Sequence, residues 1–443
     1  MEIFKSYDVR GLYPSEINED LVENIGKAFV TFTHAKKVAV ACDKRVSSPS
    51  LFAALVKGIT AQGADVIDLG LLSTPMLYFA SAQLDIDGAI MVTASHNPGE
   101  YNGLKFTKRN AVPIGLASGL ADIRDLTYAK EFPVSLHVGT ITSHDIKPEY
   151  DKVISSFANF KEKRFHVSTD TAHAMGVLEL PILRNLPGVA LCATLYDTLK
   201  LPGVCPHEAN PLKTETLIEL QHVVRKTKCD FGIAYDGDAD RIGFVDDLGR
   251  IVPMDLVTAL LAEALLVTKP GATILYDLRS SRAVKEMIEA KGGVAHESKV
   301  GHSNIKKQMI EEGALLAGEA SGHYYFSLIG YIAEMGTLPA ILIMNLMSES
   351  GKKLSELVDA VRLYSHSGEI NMEASDAPAI FAKMKAHYHD GKLSELDGIK
   401  IVYHDWWFSL RASNTEPLIR LNLEADTPEL LKIKLGEVLA LIP

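Results

Sequence analysis

Cysteine is scarce in this 443-residue chain. There are four, Cys42, Cys192, Cys205 and Cys229, scattered and without a Cys-x-x-Cys pair. That spacing builds neither a disulfide frame nor a zinc site, and it predicts reduced thiols in a cytoplasmic protein. Long apolar runs are missing too. The longest, roughly Thr337 to Met347, is too short to cross a bilayer, which takes about 20 residues, so no membrane association is expected. The opening MEIFKSYDVRG is charged throughout, unlike a secretory signal. Positive charge is in deficit, with 45 Lys and Arg against 56 Asp and Glu and a net charge of −11. A general nucleic-acid binder needs a basic footprint, so no nucleic acid is expected as partner. Any anionic substrate would need a local cationic cluster to overcome the average field. What remains, 23% charged and 47% hydrophobic residues, is ordinary for a globular protein, and the length suggests about two to four domains.

The apolar pattern restarts three times. KVAVACD (37–43) reads as a strand, Ser50 to Gln62 as a helix, Ala64 to Leu69 as a strand, and a further strand starts at Gly88. Strand–helix–strand alternation implies a mostly parallel sheet with right-handed crossovers. The second round has strands at Phe165–Thr169, Val189–Leu195 and Phe231–Tyr235, with a helix over Thr214–Arg225. The third begins near Ile251, with helices Leu256–Leu266 and Ala283–Lys291 and strands Thr273–Asp277 and Val294–Glu297. The polar stretch Ser365 to Asp376 reads as a linker. Beyond it, strands at Ile399–Tyr403, Trp406–Arg411 and Pro417–Leu423 precede a helix opened by Thr427 and Pro428, an N-cap followed by proline in the first turn. The boundaries expected are 1–148, 149–250, 251–364 and 365–443.

Four stretches carry chemistry. In DGAIMVTASHNPGEYNGLKF (87–106) an apolar strand stops at Ser95, His96, Asn97 and Pro98. Pro98 bars easy continuation of strand or helix. Ser95 therefore sits in a loop at the mouth of a strand, where open α/β sheets bind ligands. Its hydroxyl is a weak nucleophile until activated. His96 is adjacent and Lys105 a short loop away, although a plain ST-turn, with Ser95 and Asn97 bonding local backbone, is the alternative. In FGIAYDGDADRIGFVD (231–246), Asp236, Asp238 and Asp240 stand two apart between apolar strands. In an extended loop they face one side. Three converging carboxylates repel unless a cation holds them, and hard oxygen donors suit Mg²⁺. An EF-hand fails because Arg241 stands at its glycine position and Asp247 at its glutamate; a solvated acidic turn is the plainer alternative. In AGEASGHYYF (317–326), Glu319 and Ser321 could pair with vicinal sugar hydroxyls, or be a surface charge and a turn. In FSLRASNTEP (408–417), Arg411 offers a fork of donors and Ser413, Asn414 and Thr415 a polar turn, together a cradle for phosphate, though SNTEP also fits an ordinary turn.

In order and spacing, TASHNP with NGLKF, DGDADR, GEASGH and R-x-SNTEP resemble the motifs of the α-D-phosphohexomutases, the phosphoglucomutases and phosphomannomutases, over nearly the whole chain. The resemblance implies three similar mixed α/β domains plus a smaller C-terminal α+β domain around a central cleft. They would be, in order, a phosphoserine-loop, a metal-binding, a sugar-binding and a phosphate-binding domain. It implies reversible phosphoryl transfer between hexose 1-phosphate and hexose 6-phosphate, of mannose and/or glucose. The transfer would pass through a phosphoserine at Ser95 and a hexose 1,6-bisphosphate, which also serves as activator. Mg²⁺ would be held by Ser95, Asp236, Asp238 and Asp240. His96, Lys105 and His323 would be catalytic, with Lys105 or His323 as general acid or base. Tyr7 and Arg10 of the YD-x-RG segment, Arg241, Arg279, Lys299, His302, Glu319, Ser321, Arg411, Ser413, Asn414 and Thr415 would bind substrate. The family's usual DGDGDR has Gly where this chain has Ala239. Relatives preferring glucosamine usually carry Gln where this chain has Ala320, which argues against an amino sugar. GYIAEMG (330–336) departs from a more acidic pattern. A phosphoglucosamine mutase, a phosphoserine-dependent sugar phosphatase and a non-catalytic sugar-phosphate sensor are the alternatives. A monomer or small homo-oligomer is expected.

Overall fold

A computed structural model describes residues 3–199, 204–374, 376–412 and 418–442. Its first sheet is built on three parallel strands, Lys37–Cys42, Asp65–Leu71 and Gly88–Val92, crossed over by helices Ser48–Ala61 and Thr74–Gln83. Gly88–Val92 is buried along its whole length, as a central strand with a continuous apolar run should be. The chain then reverses through the Ser95 loop, and Tyr101–Lys108 returns antiparallel with Lys105 opposite Met91. Val9–Leu12 and Val112–Pro113 pair antiparallel on Tyr101–Lys108, and Ile141–Ser143 parallel on Asp65–Leu71. This sheet is therefore mixed rather than mostly parallel. A link as short as the serine loop can only join antiparallel neighbours.

The second sheet runs in the spatial order Ile251–Val252, Ile242–Asp246, Phe231–Tyr235, Phe165–Asp170, Val189–Leu195. Its first strand corrects the expected third start, since Ile251 pairs with Val245 and the next helix begins at Met254. The third sheet runs Val294–Ser298, Thr273–Asp277, Leu316–Gly318, Tyr324–Phe326, Ala333–Glu334. The fourth is antiparallel throughout and backed by helices Ala377–His387 and Pro428–Leu441, the latter capped by Thr427 as expected.

The expected linker is a second correction. Ser365–His366 and Ile370–Glu373 are both edge strands paired on Leu418–Ala425. Their side chains are half-buried or exposed, so no apolar run marked them; the ladder is satisfied by backbone groups that pattern does not report.

Helix Thr74–Gln83 starts with Ser73 capping the Met76 N–H and Pro75 in the first turn. It is buried nearly all round, because it belongs to a continuous apolar core shared by the first three units. Phe79, Tyr150, Phe231, Leu260 and Ile341 are members of that one cluster. The apolar run near Thr337–Met347 is helix Leu338–Ser350 within the same core. The fourth unit has its own core around Phe408 and Leu421. It meets the third largely through polar contacts, with Arg282 Nη1 donating to His404 O at 2.9 Å and Lys400 Nζ to Leu278 O at 3.0 Å. Shared apolar burial fuses three units, while hydrogen bonds and ion pairs join the fourth.

Candidate active site

Three of the four motifs follow the carboxyl end of a strand near the middle of its sheet. Ser95 comes after Gly88–Val92, Asp236 after Phe231–Tyr235 and Glu319 after Leu316–Gly318, where α/β sheets place ligands. They face a cleft of about 340 Å³ to which all four units contribute, including Arg10, Lys105, Asp240, His323 and Glu369. A larger hollow of about 700 Å³ adjoins it beyond Arg279 and Ala320, beside Tyr364 and Asn422. That hollow holds neither the serine nor the aspartates.

Ser95 is buried and sits at φ 51°, the left-handed region, which costs a residue with a Cβ about 1–2 kcal/mol. Such strain persists only where surroundings over-determine it. Its Oγ donates to Asp236 Oδ2 at 2.8 Å and lies 3.2 Å from His96 Nδ1. Gly237 makes this approach possible, since a Cβ there would fall 2.1 Å from the Ser95 carbonyl oxygen.

The three aspartates do converge, with carboxylate oxygens within 4.8 Å of one another. They do so through a tight turn rather than the extended loop expected. The Asp236 N–H reaches Arg241 O at 3.3 Å, the Ala239 N–H reaches Asp236 O at 3.3 Å, and Ala239 stands at φ 62°. Lys105 Nζ donates to Asp238 Oδ2 and to Asp240 Oδ2, each at 2.5 Å. Thr74 Oγ1, at the start of its helix, donates to Asp238 Oδ2 at 2.6 Å. Asp238 Oδ1 is buried without a hydrogen-bond partner, and buried Asp240 Oδ1 has only the His323 ring, 3.3 Å away, beside it. Buried, under-satisfied carboxylate oxygens beside a serine hydroxyl fit a hard divalent cation. Burial, with Asp240 and Asp238 adding to it, pushes the Asp236 carboxyl up to about 8. Burial acts the same way on Asp240, but Lys105 and His323 outweigh it and hold that carboxyl well below the usual range.

His323 lies 3.3 Å by Nε2 from Asp240 Oδ1 and 3.4 Å by Nδ1 from Glu319 Oε2. Burial disfavours its charge; Asp240 overcomes that, against Arg241, and pushes the ring up to about 9. His96 goes the other way, kept neutral by the charge of Arg241, by burial and by Arg10. Glu319 and Ser321 both face the cleft, again from a turn, in which the Glu319 N–H bonds His323 O at 3.0 Å. Glu319 accepts from the Gly301 N–H at 3.0 Å and from Tyr325 Oη at 2.6 Å, while Ser321 Oγ lies 3.0 Å from His323 Nδ1. Tyr7 packs edge-on to His302, over Gly301 at φ 110°, where a Cβ would meet the Tyr7 hydroxyl at 2.5 Å. Arg10 Nη1 donates to Asn97 Oδ1 at 2.5 Å, which ties the N-terminal segment to the serine loop. Arg241 Nε lies 3.3 Å from His323 Nε2.

The expected phosphate cradle is described only in part. Arg411 is buried, with Nε donating to Asp397 Oδ2 at 2.8 Å; Ser413, Asn414 and Thr415 lie outside the described residues. Glu369 stands among three guanidinium groups, 3.6 Å from Arg279, 4.0 Å from Arg411 and 3.7 Å from Arg420. Lys299 follows the buried Ser298 just past the end of its strand; it is exposed and is not among the residues lining the cleft. Glu334 of the divergent GYIAEMG lines the cleft and pairs with buried Lys306 at 2.8 Å, which lies 4.0 Å over the Tyr78 ring. Thr74, Glu334, Lys306, Arg420 and Arg45 are parts that motif reading missed. Arg45 had one available signal, its place in the loop just after the strand Lys37–Cys42, at the same end of the sheet as Ser95.

Comparison with known proteins gives a consistent picture. Profiles described as phosphoglucomutase/phosphomannomutase alpha/beta/alpha domains I, II and III match residues 1–132, 148–249 and 253–364, and the C-terminal domain profile matches 369–435. A phosphomannomutase of Methanocaldococcus jannaschii is 38% identical, covering 99% of this chain and 97% of its own length. A phosphomannomutase of Escherichia coli is 37% identical, covering 99% and 98%. The crystal structure of a phosphoglucomutase/phosphomannomutase family protein from Burkholderia thailandensis superposes with a TM-score of 0.90 at 29% identity, over 99% of this chain and 96% of that one.

Proposed function

This chain belongs to the phosphoglucomutase/phosphomannomutase family, and on that premise we propose that it interconverts hexose 1-phosphate and hexose 6-phosphate through a phosphorylated Ser95. The observation that carries the proposal is the 2.8 Å contact between Ser95 Oγ and Asp236 Oδ2. It sets a strained, buried hydroxyl against three converging carboxylates in a cleft rimmed by arginines.

In one half-reaction the bond from Ser95 Oγ to phosphorus breaks as phosphorus bonds to the free hydroxyl oxygen of the substrate. That hydroxyl loses a proton and Ser95 Oγ takes one up. The resulting hexose 1,6-bisphosphate turns over in the cleft. Ser95 Oγ then attacks the other phosphorus, the sugar oxygen leaves with a proton, and the cycle is proton-neutral. His323, charged at neutral pH by virtue of Asp240, is the group we assign to protonate the leaving sugar oxygen; by reversibility it receives the proton in the opposite half. Lys105, whose charge Asp238 and Asp240 sustain against burial, orders those two carboxylates. Neutral His96 borders Ser95 Oγ without adding charge. Ser95, Asp236, Asp238 and Asp240 would hold Mg²⁺, which would supply the positive charge that phosphoryl transfer chiefly demands.

Glu319 and Ser321 take sugar hydroxyls, with Tyr7 and His302 closing one side. Arg411 with Ser413, Asn414 and Thr415, aided by Arg279 and by Lys299 from the rim, holds the phosphate that is not moving. Arg10 and Arg241 face the phosphate that is. A trace of hexose 1,6-bisphosphate serves to charge Ser95. We keep the four-part division into serine-loop, metal, sugar and phosphate units, with the second boundary moved beyond Val252. The relatives' name puts mannose phosphate first among sugars to try. No helix among the described residues is long and apolar enough to cross a membrane, and the free thiols suit a reducing cytoplasm, where we take the protein to act as a monomer or small homo-oligomer.

The test is ³¹P NMR with Mg²⁺, a trace of hexose 1,6-bisphosphate and mannose 1-phosphate or glucose 1-phosphate in parallel. Growth of the 6-phosphate signal is expected. Release of inorganic phosphate alone would replace the mutase with a phosphatase, and no reaction with any hexose phosphate would refute both.

A further inference from the structure

Ser95 is held in the left-handed region at the very point where its Oγ must be aimed, and the bonds that hold it converge on one residue pair behind the cleft. The Ser95 N–H donates to Thr93 Oγ1 at 2.9 Å, and Thr93 Oγ1 donates to Asp43 Oδ2 at 2.7 Å. A carboxylate only accepts, so the polarity of this chain is fixed. The Ser95 carbonyl accepts from Arg45 Nη2 at 2.7 Å. Arg45 Nε closes the ring on Asp43 Oδ2 at 3.1 Å, and the Arg45 N–H on Asp43 Oδ1 at 2.9 Å. The other guanidinium hydrogens reach Asn97 O at 2.6 Å, Pro98 O at 2.6 Å and Tyr101 O at 3.0 Å. A guanidinium has five N–H donors. Here one goes to Asp43 and four to carbonyls of the serine loop. The Arg45 side chain is 10% exposed and Asp43 3%, and neither lines the cleft. The second unit bears on the same carbonyl, through the Gly237 contact already described.

We propose that the Asp43–Arg45 pair positions Ser95: it holds both backbone groups of the serine in their strained setting and thereby aims Oγ at the aspartate turn and at the phosphorus, with which it breaks one bond and forms another in each cycle. This rests on Ser95 being the phosphoryl carrier. Arg45 touches neither substrate nor the reacting atoms, so it is a positioning residue. Lysine cannot replace it, because one ammonium cannot fork across four carbonyls.

The test compares wild type, Arg45→Lys, Arg45→Ala and Thr93→Val by steady-state kinetics, single-turnover transfer from phosphorylated Ser95, and thermal melting. Misaiming by about 1 Å costs roughly 100-fold in rate. Arg45→Lys is therefore expected to lose about that factor in kcat and in single-turnover rate, with KM for the hexose phosphate unchanged and a folded protein. Millimolar guanidinium should partly restore Arg45→Ala, while ammonium should not. If the Arg45 variants fold poorly, Thr93→Val decides: it cuts only the N–H branch and should slow transfer about tenfold at unchanged KM, the worth of one buried hydrogen bond. An Arg45→Lys protein with wild-type kcat, or a folded Thr93→Val protein with wild-type transfer rate, would overturn the inference. A wild-type protein that interconverts no hexose phosphate would instead overturn the functional reading beneath it.

Discussion

Mg²⁺ binding at the site proposed above should be a proton-coupled event, because burial and neighbouring carboxylates favour the protonated form of Asp236 at neutral pH. Asp236 lies fully buried beside two other carboxylates; burial first, then Asp240 and Asp238, push it up to about 8. Lys105 does not share this behaviour, since Asp238 and Asp240 keep it charged against burial well above its ordinary value. At pH 7 the metal must therefore displace about one proton, and below about pH 8 each unit of acidity should weaken apparent affinity about tenfold, or 1.4 kcal/mol. Above that point the affinity should level off. Calorimetric titration in two buffers of different ionisation enthalpy measures the proton count directly. Stability should move with it. A carboxyl raised above its ordinary 3.8 stabilises the fold fully below 3.8, and that contribution is lost as pH rises through about 8. Metal-free protein should thus weaken toward alkaline pH, and Mg²⁺ should rescue it most there. An affinity flat between about pH 6 and 8, with no proton released, would refute the reasoning.

Three further outcomes follow from the same geometry. Ser95→Ala should abolish interconversion, by at least about 1,000-fold, as expected on losing a covalent carrier, with an unchanged circular dichroism spectrum; a fully active variant would sink the phosphoserine mechanism. Ala239→Gly should relieve the strain at φ 62° and raise the urea midpoint by the equivalent of about 1 kcal/mol, a prediction that a lowered midpoint would contradict. Gly237→Ala would put a Cβ 2.1 Å from Ser95 O. It should cut kcat about 100-fold by parting the two loops, while stopped-flow binding of the sugar phosphate stays near wild type.

Much of the site was legible because its motifs are local. The order Ser95-His96, Asp236-x-Asp238-x-Asp240, Glu319-x-Ser321 and Arg411 survives in a bare sequence, as do the strands that present them. Thr273–Asp277 appears with the limits its pattern predicts. The errors are equally specific. Ile251 joined the second sheet and Ser365–Glu373 formed edge strands, because backbone pairing at a sheet edge leaves no apolar signature. The triple aspartate and Glu319-x-Ser321 reached one side through turns, where a period of two was only one of the conformations that could do so.

What the sequence by itself determined, then, was chemical identity: which loops carry a hydroxyl, carboxylates and guanidinium groups, and which strands deliver them to one end of a sheet. What only the tertiary structure decided was who meets whom. Lys105 clasps Asp238 from 133 residues away and Ser95 reaches Asp236 from 141. Arg45, a bare surface charge in the sequence, spends all its donors on Asp43 and the serine loop. Such meetings depend on how three sheets pack around a shared core, and apolar burial, being non-directional, leaves no mark in the sequence of the partners it brings together.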